Sequence, residues 1–165
     1  GHPIITSFVN LMPRIECWPW LDEAFRGAGS QAAFLVHGID CPHGVVKPAS
    51  GIANIMANST WGWHDKITGD GFGHVIHGWA AIGRPIIGHG SHYAGKMGEV
   101  FWQDGITCID LDKHSVAETM DMVLSMTPQR HAEMCRAIRA AFDAAVDHEA
   151  EAEAIRGFLA REGIG

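Results

Sequence analysis

The chain has 165 residues, and its 19 acidic residues outnumber its 12 Lys and Arg residues, which gives a formal net charge of −7 at pH 7. An acidic chain without a run of Lys or Arg is not expected to bind nucleic acid, because non-specific affinity for phosphate backbones comes from cationic side chains. With 47% hydrophobic residues the chain suits one folded domain. No stretch has the roughly 20 consecutive apolar residues of a transmembrane segment.

The first part of the chain alternates predicted strands with predicted helices. Apolar, β-branched and aromatic runs predict strands at residues 4–9, 32–36, Val45–Val46 and 61–67. One helix is predicted through Trp18 and Phe25, and a second runs from Ile52 to about Asn58 with Ser50 as its cap. This alternation indicates strand-helix-strand units.

The same alternation continues to residue 111. A helix is predicted over 75–82 and ends at Gly83, and strands follow at 85–87 and 106–111. Strands that alternate with helices imply a parallel sheet covered on both faces. We therefore expect a single α/β domain with a Rossmann-like parallel sheet, in which residues 1–114 form the sheet core.

The remaining residues, 115–165, are predicted to form a helical C-terminal tail. Ser115 and Glu118 have the spacing of a capping box. Thr127 is expected to cap a helix that begins at Pro128 and reaches about Val146. A last helix is predicted over roughly 149–161, with Gly163 placed to end it.

The most informative stretch is the glycine turn, residues Asp70-Gly71-Phe72-Gly73-His74, which leads from a strand into a helix. Small residues there allow a ligand to approach the backbone. The unpaired N–H groups and the dipole of a helix N-terminus bind phosphate oxygens without a cationic side chain. The turn therefore suits a nucleotide diphosphate, although two glycines also serve simply to relieve a tight turn.

Several motifs around this turn resemble one enzyme family. After residues 70–73 come Gly83-Arg84-Pro85-Ile86-Ile87, then Glu99-Val100, then Asp104-Gly105-Ile106-Thr107. Their order and spacing are similar to the donor-binding C-terminal half of retaining glycosyltransferases of the GT-B fold, particularly family four (group 1). The resemblance implies half of a GT-B fold and the transfer of a sugar from a nucleotide sugar to an acceptor.

The resemblance also implies roles for residues of the glycine turn. Gly71, Phe72, Gly73 and His74 would hold the donor, and Asp70 stands where the family has its first motif glutamate, as the acidic group near the donor sugar. In the family, a second motif glutamate binds the ribose of the nucleotide, and Gly78 stands at that position here.

Further residues are expected to contact the donor from the ends of the first and fourth predicted strands. The family places basic groups near its leaving diphosphate, and Arg14 and Lys66 are the candidates here. Negative charge grows on that diphosphate as the glycosidic bond breaks, so a cation is needed there. Ser7 and Asn10 are candidates for contacts with phosphate or sugar, or for ordinary strand-end capping. The nucleotide sugar is a substrate, and no cofactor is expected.

The acceptor in such an enzyme, a glycan, lipid or small molecule, is expected to be bound by an N-terminal domain. The abrupt Gly-His-Pro start suggests an excised domain, so the N-terminal acceptor domain would be missing and the isolated chain would bind but not turn over. Alternatives are a free-standing nucleotide-sugar-binding module, a sugar-nucleotide epimerase-like domain and a metal-dependent enzyme. Genomic context, turnover without acceptor and metal analysis would separate these alternatives.

Histidine, cysteine and tryptophan residues suggest further hypotheses. Pairs or triplets with metal-ligand character are His37 with Cys41 and His43, His74 with His77, and His89 with His92. None forms a complete set, and the resemblance implies metal-independent transfer, so no metal is expected. The four cysteines form no CxxC pair, which favours reduced thiols and a cytoplasmic protein. Most of the six Trp residues are expected in the core.

Overall fold

The structure is a computed structural model that describes residues 1–9, 18–66 and 73–162. Five strands form one sheet: β1 (Ile4–Phe8), β2 (Ala33–His37), β3 (Trp61–Trp63), β4 (Ile86–Gly88) and β5 (Cys108–Asp110). Their order across the sheet is β2-β1-β3-β4-β5, and all neighbours are parallel. The predicted parallel sheet is confirmed.

Helices cover both faces of this sheet. They are α1 (Trp18–Ala28), α2 (Ala49–Asn58), α3 (His74–Ile82), α4 (Val116–Ser125), α5 (Pro128–Ala145) and α6 (His148–Arg161). Helix α1 packs with α4, whereas α3 packs with α2 and α5. In the described part of the chain, no helix is both long and apolar enough to cross a membrane. The expected Rossmann-like α/β fold with a helical tail is confirmed.

Strands β4 and β5 each contribute buried residues to both faces of the sheet. Ile87 and Ile109 lie in the core cluster under α1 and α4, whereas their neighbours Ile86 and Cys108 lie in the cluster under α2, α3 and α5. Successive strand residues point to opposite faces, so a parallel sheet covered on both sides needs continuous apolar runs. Burial raises the pKa of the Cys108 thiol to about 12, and the nearby Asp110 and Asp104 add to the shift. This free thiol is therefore protonated at neutral pH.

The helix caps of the tail form as the sequence predicts. Ser115 Oγ accepts a hydrogen bond from Glu118 N at 3.3 Å, and the Glu118 carboxylate accepts one from Ser115 N at 2.8 Å. Thr127 Oγ1 likewise accepts from Arg130 N at 3.2 Å at the start of α5, whose first residue is Pro128. Both predicted N-termini are confirmed, because these side chains satisfy N–H groups that the helix leaves unpaired.

Replacing Ser115 by alanine removes the acceptor for the Glu118 N–H and the donor that binds the Glu118 carboxylate. We expect Ser115→Ala to lower the free energy of unfolding by about 1 kcal/mol. Urea denaturation followed by circular dichroism measures this loss. Ser125→Ala, near the other end of the same helix, is the control, and an equal loss in both variants would contradict a specific capping role.

The capping box also predicts a pH dependence. The hydrogen bonds from Ser115 lower the pKa of the exposed Glu118 carboxyl below its usual value. A lowered folded-state pKa gives a stabilising contribution that is present above the unfolded pKa of about 4.3 and is lost as the pH falls through the folded value. Glu118→Gln should therefore destabilise the chain at pH 7 and have less effect at pH 3.

Two details of the predicted elements are wrong. Val45–Val46 is not a strand, because Gly44 is left-handed with φ of 65° and Pro48 has no N–H to donate, so the extended run is too short to pair. Ser50 does not cap α2. That helix begins at Ala49 with Pro48 in the cap position, which leaves Ser50 exposed inside the first turn.

Two strands are shorter than predicted. Strand β3 ends at Trp63 rather than at residue 67, because the chain then leaves the sheet and the Asp65 carboxylate binds the loop after β4. Strand β5 begins at Cys108 rather than at residue 106, because residues 103–107 form a turn. The predicted helix stop at Gly163 lies outside the described residues.

Candidate functional site

The strand order of the sheet predicts where a ligand binds. The chain passes from β1 to β2 on one side and then crosses to β3 on the other side of β1. In open α/β sheets the crevice at such a reversal, beyond the carboxyl ends of the strands, is the usual ligand site. A ligand is therefore expected at the ends of β1 and β3.

A cleft of about 410 Å³ lies at this position. Its walls come from the ends of β1, β2 and β3 and from the starts of α2 and α3: Phe8, Val9, His37, Gly38, Val45, Val46, Ile52, His64, Lys66 and Val75. Most of the wall is apolar, and a few polar groups converge on it. Both the size and the lining are typical of a small-molecule site.

The N-terminus of α3 borders the cleft. Gly73 occupies the cap position in a left-handed conformation with φ of 71° and ψ of 53°. The Gly73 carbonyl accepts hydrogen bonds from both the backbone N and the ring Nδ1 of His77, each at 3.0 Å. His77 thus fixes the orientation of the peptide at Gly73.

The structure places three other predicted site residues. Lys66 lies on the cleft wall and is half-buried. His74 is exposed at the start of α3, close in sequence to the cleft residue Val75. Ser7 is buried in β1, where it pairs with Val36, one residue before the cleft residue Phe8.

The remaining predicted site residues lie outside the described residues. They are Asn10, Arg14, Asp70, Gly71 and Phe72. Their roles stay predictions.

Gly78, at the position of the family's second motif glutamate, lies where α3 packs against α2. A Cβ atom there would be 3.2 Å from Met56 Cε and 3.3 Å from Met56 Sδ. The close packing of these two helices explains why a small residue suits this position. A glutamate would require Met56 to move.

The Asp-Gly-x-Thr motif forms a turn at the start of β5. Thr107 Oγ1 accepts a hydrogen bond from Gln103 N at 3.0 Å and donates one to Phe101 O at 2.6 Å. Gly105 is left-handed with φ of 72°. The threonine hydroxyl therefore closes the turn, which gives this motif a structural role.

His37, Cys41 and His43 do not assemble as metal ligands. His43 Nδ1 accepts from Val36 N at 3.0 Å, and the Cys41 thiol donates to Val9 O at 3.0 Å. The His37 ring stacks on Phe8 with ring centres 5.4 Å apart, and its buried Nδ1 has no hydrogen-bond partner in the described part of the chain. The His37 residue lines the cleft, whereas this nitrogen is shielded from solvent.

Besides the cleft, the structure contains a second polar cluster, made of Asp65, His89 and His92, where β3 and β4 end. His89 Nδ1 donates to Asp65 Oδ2 at 2.7 Å, and His92 Nδ1 lies 2.7 Å from Asp65 Oδ1. The sequence predicts the His89 and His92 pair but not Asp65, which the predicted strand over 61–67 places inside the sheet. The polar run 64–66 directly after bulky Trp residues is the signal that points to a strand end.

Among the Trp side chains that the structure describes, three lie in the core, and Trp20 and Trp102 are half-buried. Trp61, Trp63 and Trp79 are buried in the core. Trp20, in α1, instead lies over the second polar cluster, with its ring centre 4.3 Å from that of His89 and 6.3 Å from that of His92.

Comparisons with known proteins find similar structures but no match in sequence. No protein-family model matches the chain, and no curated protein matches it in sequence. The chain is similar in structure to HepE from Anabaena, crystallised in complex with UDP-glucose, with a TM-score of 0.72 and 15% identity over 98% of this chain and 49% of HepE. It is also similar to a glycosyltransferase from Rickettsia africae, with a TM-score of 0.68 and 17% identity over 88% of this chain and 44% of that protein.

A third similar structure is TarM, with a TM-score of 0.67 and 11% identity over 95% of this chain and 35% of TarM. The chain thus spans about half the length of HepE. It has the Rossmann-like domain fold of GT-B glycosyltransferases, which is half of a GT-B fold. At these identities the shared property is the fold.

Proposed function

We propose that this chain is the donor-binding domain of a glycosyltransferase and that its cleft binds a nucleotide-diphosphate sugar. One observation carries the proposal: the cleft lies at the strand reversal and is bordered by the N-terminus of α3 and by Lys66. The structural likeness to HepE, whose crystal structure contains UDP-glucose, supports the same ligand class.

The charge distribution around the cleft fits a diphosphate. The first hydrogen bond of α3 runs from His77 N to Gly73 O. The backbone N–H groups before His77 therefore have no acceptor within the helix itself. These groups and the helix dipole favour an anion. Lys66 adds a positive charge on the cleft wall, in a chain whose net charge is −7.

The apolar part of the cleft fits the base and sugar. Phe8, Val45, Val46 and Ile52 provide contact area, and the imidazole of His37 completes this part of the wall. A mostly apolar wall with few polar groups orients a ligand without a large desolvation cost.

The roles of the other site residues belong to the same proposal. Asp70 is the acidic group near the donor sugar, and Gly71, Phe72, Gly73 and His74 form the turn that holds the diphosphate. Arg14 assists Lys66 in neutralising the leaving diphosphate, and Ser7 and Asn10 contact phosphate or sugar. Positive charge near the leaving group stabilises the charge that develops as the glycosidic bond breaks. Transfer then needs no additional cofactor.

The acceptor, a glycan, lipid or small molecule, would be bound by a second domain. The chain spans 49% of HepE, which supports a partner of similar size for this domain. Turnover of a nucleotide sugar by the chain alone, without acceptor, would instead support the epimerase-like alternative.

Calorimetric titration tests the proposed ligand. We expect UDP-glucose, or failing that GDP-glucose or ADP-glucose, to bind and to raise the melting temperature with ligand concentration. Lys66→Met should weaken binding about tenfold, because a charged hydrogen bond contributes about 1.5 kcal/mol. Lys113→Met, at an exposed position, is the control. Absence of binding by the wild-type chain to all three sugars, and to UDP, would contradict the proposal.

A further inference from the structure

We infer that Asp65, His89 and His92 form a binding site for one divalent transition-metal ion of the zinc type. The inference goes beyond the proposed donor site and does not depend on it. One carboxylate oxygen and two imidazole nitrogens of these residues lie within 4.8 Å of one another, and no other such group of three occurs in residues 1–9, 18–66 and 73–162.

The ligand types select the metal class. Two imidazoles and one carboxylate are ligands for zinc, cobalt and nickel rather than for magnesium or calcium, which prefer oxygen ligands. Zinc sites with three protein ligands complete their coordination with water. His89 borders a recess of about 240 Å³ beside Trp20, Glu23 and His114, and this recess provides room for that water.

The geometry at His92 is better explained by a shared metal than by a hydrogen bond. His92 Nδ1 lies 2.7 Å from Asp65 Oδ1, yet this buried nitrogen is not aligned for a hydrogen bond. His89 Nδ1, by contrast, makes a normal hydrogen bond to the other oxygen of Asp65. A cation bound by all three residues would satisfy His92 as well.

Burial of the Asp65 carboxylate points to the same conclusion. Its side chain is 1% exposed, and imidazoles whose side chains are 14% and 15% exposed each lie 2.7 Å from one of its oxygens. Buried charges in proteins are paired or coordinate metals, because desolvation of an isolated carboxylate is costly. A divalent cation supplies the compensating charge directly.

The loop that carries both histidines is already fixed in place. Gly90 N donates to Asp110 Oδ1 at 2.9 Å, and Ser91 donates to Asp112 through its backbone N at 2.6 Å and its hydroxyl at 2.9 Å. Burial raises the pKa of the Asp112 carboxyl, but the hydrogen bonds from Ser91 outweigh burial, so that this pKa lies below its usual value. The loop therefore holds its histidines without rearrangement.

Binding requires a change of tautomer at His89. In the structure its Nδ1 carries the proton that it donates to Asp65, whereas a metal needs the lone pair of that nitrogen. The proton moves to Nε2 through solvent, so that a neutral imidazole remains and no net proton is released. The bound ion would join the ends of β3 and β4 beside the cleft residues His64 and Lys66.

Metal titration tests this site. The chain is freed of metal with EDTA, dialysed, and titrated with Zn²⁺ by calorimetry and with Co²⁺ by visible absorption. We expect one equivalent to bind and the melting temperature to rise with Zn²⁺ concentration. His92→Gln should weaken binding by about 100-fold or more, since loss of an outer-shell partner alone costs 10- to 100-fold. His148→Gln, at an exposed position, should bind as the wild type.

A second measurement needs no variant. Diethyl pyrocarbonate modifies accessible imidazoles, and we expect Zn²⁺ to protect His89 and His92 in the wild-type chain, as read by mass spectrometry. Absence of zinc binding by the wild type, unchanged affinity in folded His92→Gln, or protection at other histidines only would each overturn the inference. None of these results would bear on nucleotide-sugar binding.

Discussion

Replacing Gly73 by valine is expected to abolish the binding of a nucleotide sugar. Gly73 has φ of 71°, a backbone conformation that a β-branched residue rarely adopts, and it is the N-cap residue of α3. A side chain there would obstruct the approach of a diphosphate to the backbone and would disturb the Gly73 carbonyl that His77 binds. Calorimetry with UDP-glucose, at a temperature where the variant is folded, measures the loss.

The strain at a left-handed glycine must be separated from the loss of the site. Gly29 has φ of 53°, has no atom within 4 Å of an added Cβ, and precedes the amino end of β2, whereas the cleft borders the carboxyl end of that strand. Gly29→Val carries a similar backbone cost of roughly 1–2 kcal/mol without touching the cleft. We expect it to lower the melting temperature but to keep its affinity. Unchanged affinity in folded Gly73→Val would show that the diphosphate is bound elsewhere.

Gly88→Ala is expected to have the largest effect on stability. An added Cβ would lie 2.3 Å from the backbone oxygen of His64 and 3.0 Å from Trp102 Cη2. The oxygen belongs to the chain directly after β3 and cannot rotate away, so the ends of β3 and β4 must separate. We expect a loss of about 3 kcal/mol in the free energy of unfolding, at the upper end of the usual cost of overpacking.

Gly27→Ala is the matched control for Gly88→Ala. Gly27 lies within α1, and nothing lies within 4 Å of an added Cβ. Alanine is a better helix former than glycine, so this variant should gain about 0.5–1 kcal/mol. Urea denaturation of both variants measures the difference. If Gly88→Ala were as stable as the wild type, the close pairing of β3 and β4 would be wrong.

Local signals in the sequence predicted the helices well. The capping box of Ser115 and Glu118, the first-turn Pro128 and the helix stop at Gly83 each depend on residues within one turn of the boundary. Strand lengths were predicted less well. Strand β3 is short because Asp65 binds a loop 24 residues away, which no local pattern indicates.

The sequence likewise indicated some residues of the candidate site and missed others. The glycine turn and Lys66 were recognisable because their residue types suit phosphate and their order resembles a known family. Val45, Val46 and Ile52 were not recognised as cleft residues, because they meet the ends of β1 and β3 only through the crossing of the chain after β2.

The sequence by itself determined the alternation of strands and helices, the caps of α4 and α5, and the start of α3 beside Gly73, since each depends on hydrogen bonds and periodicity among near neighbours. Only the tertiary structure decided which strand ends lie side by side. The adjacency of β3 and β4 brings Asp65 to His89 and His92, and the reversal at β1 opens the cleft. These groups are distant in the chain, and pairing between parallel strands alone makes them neighbours.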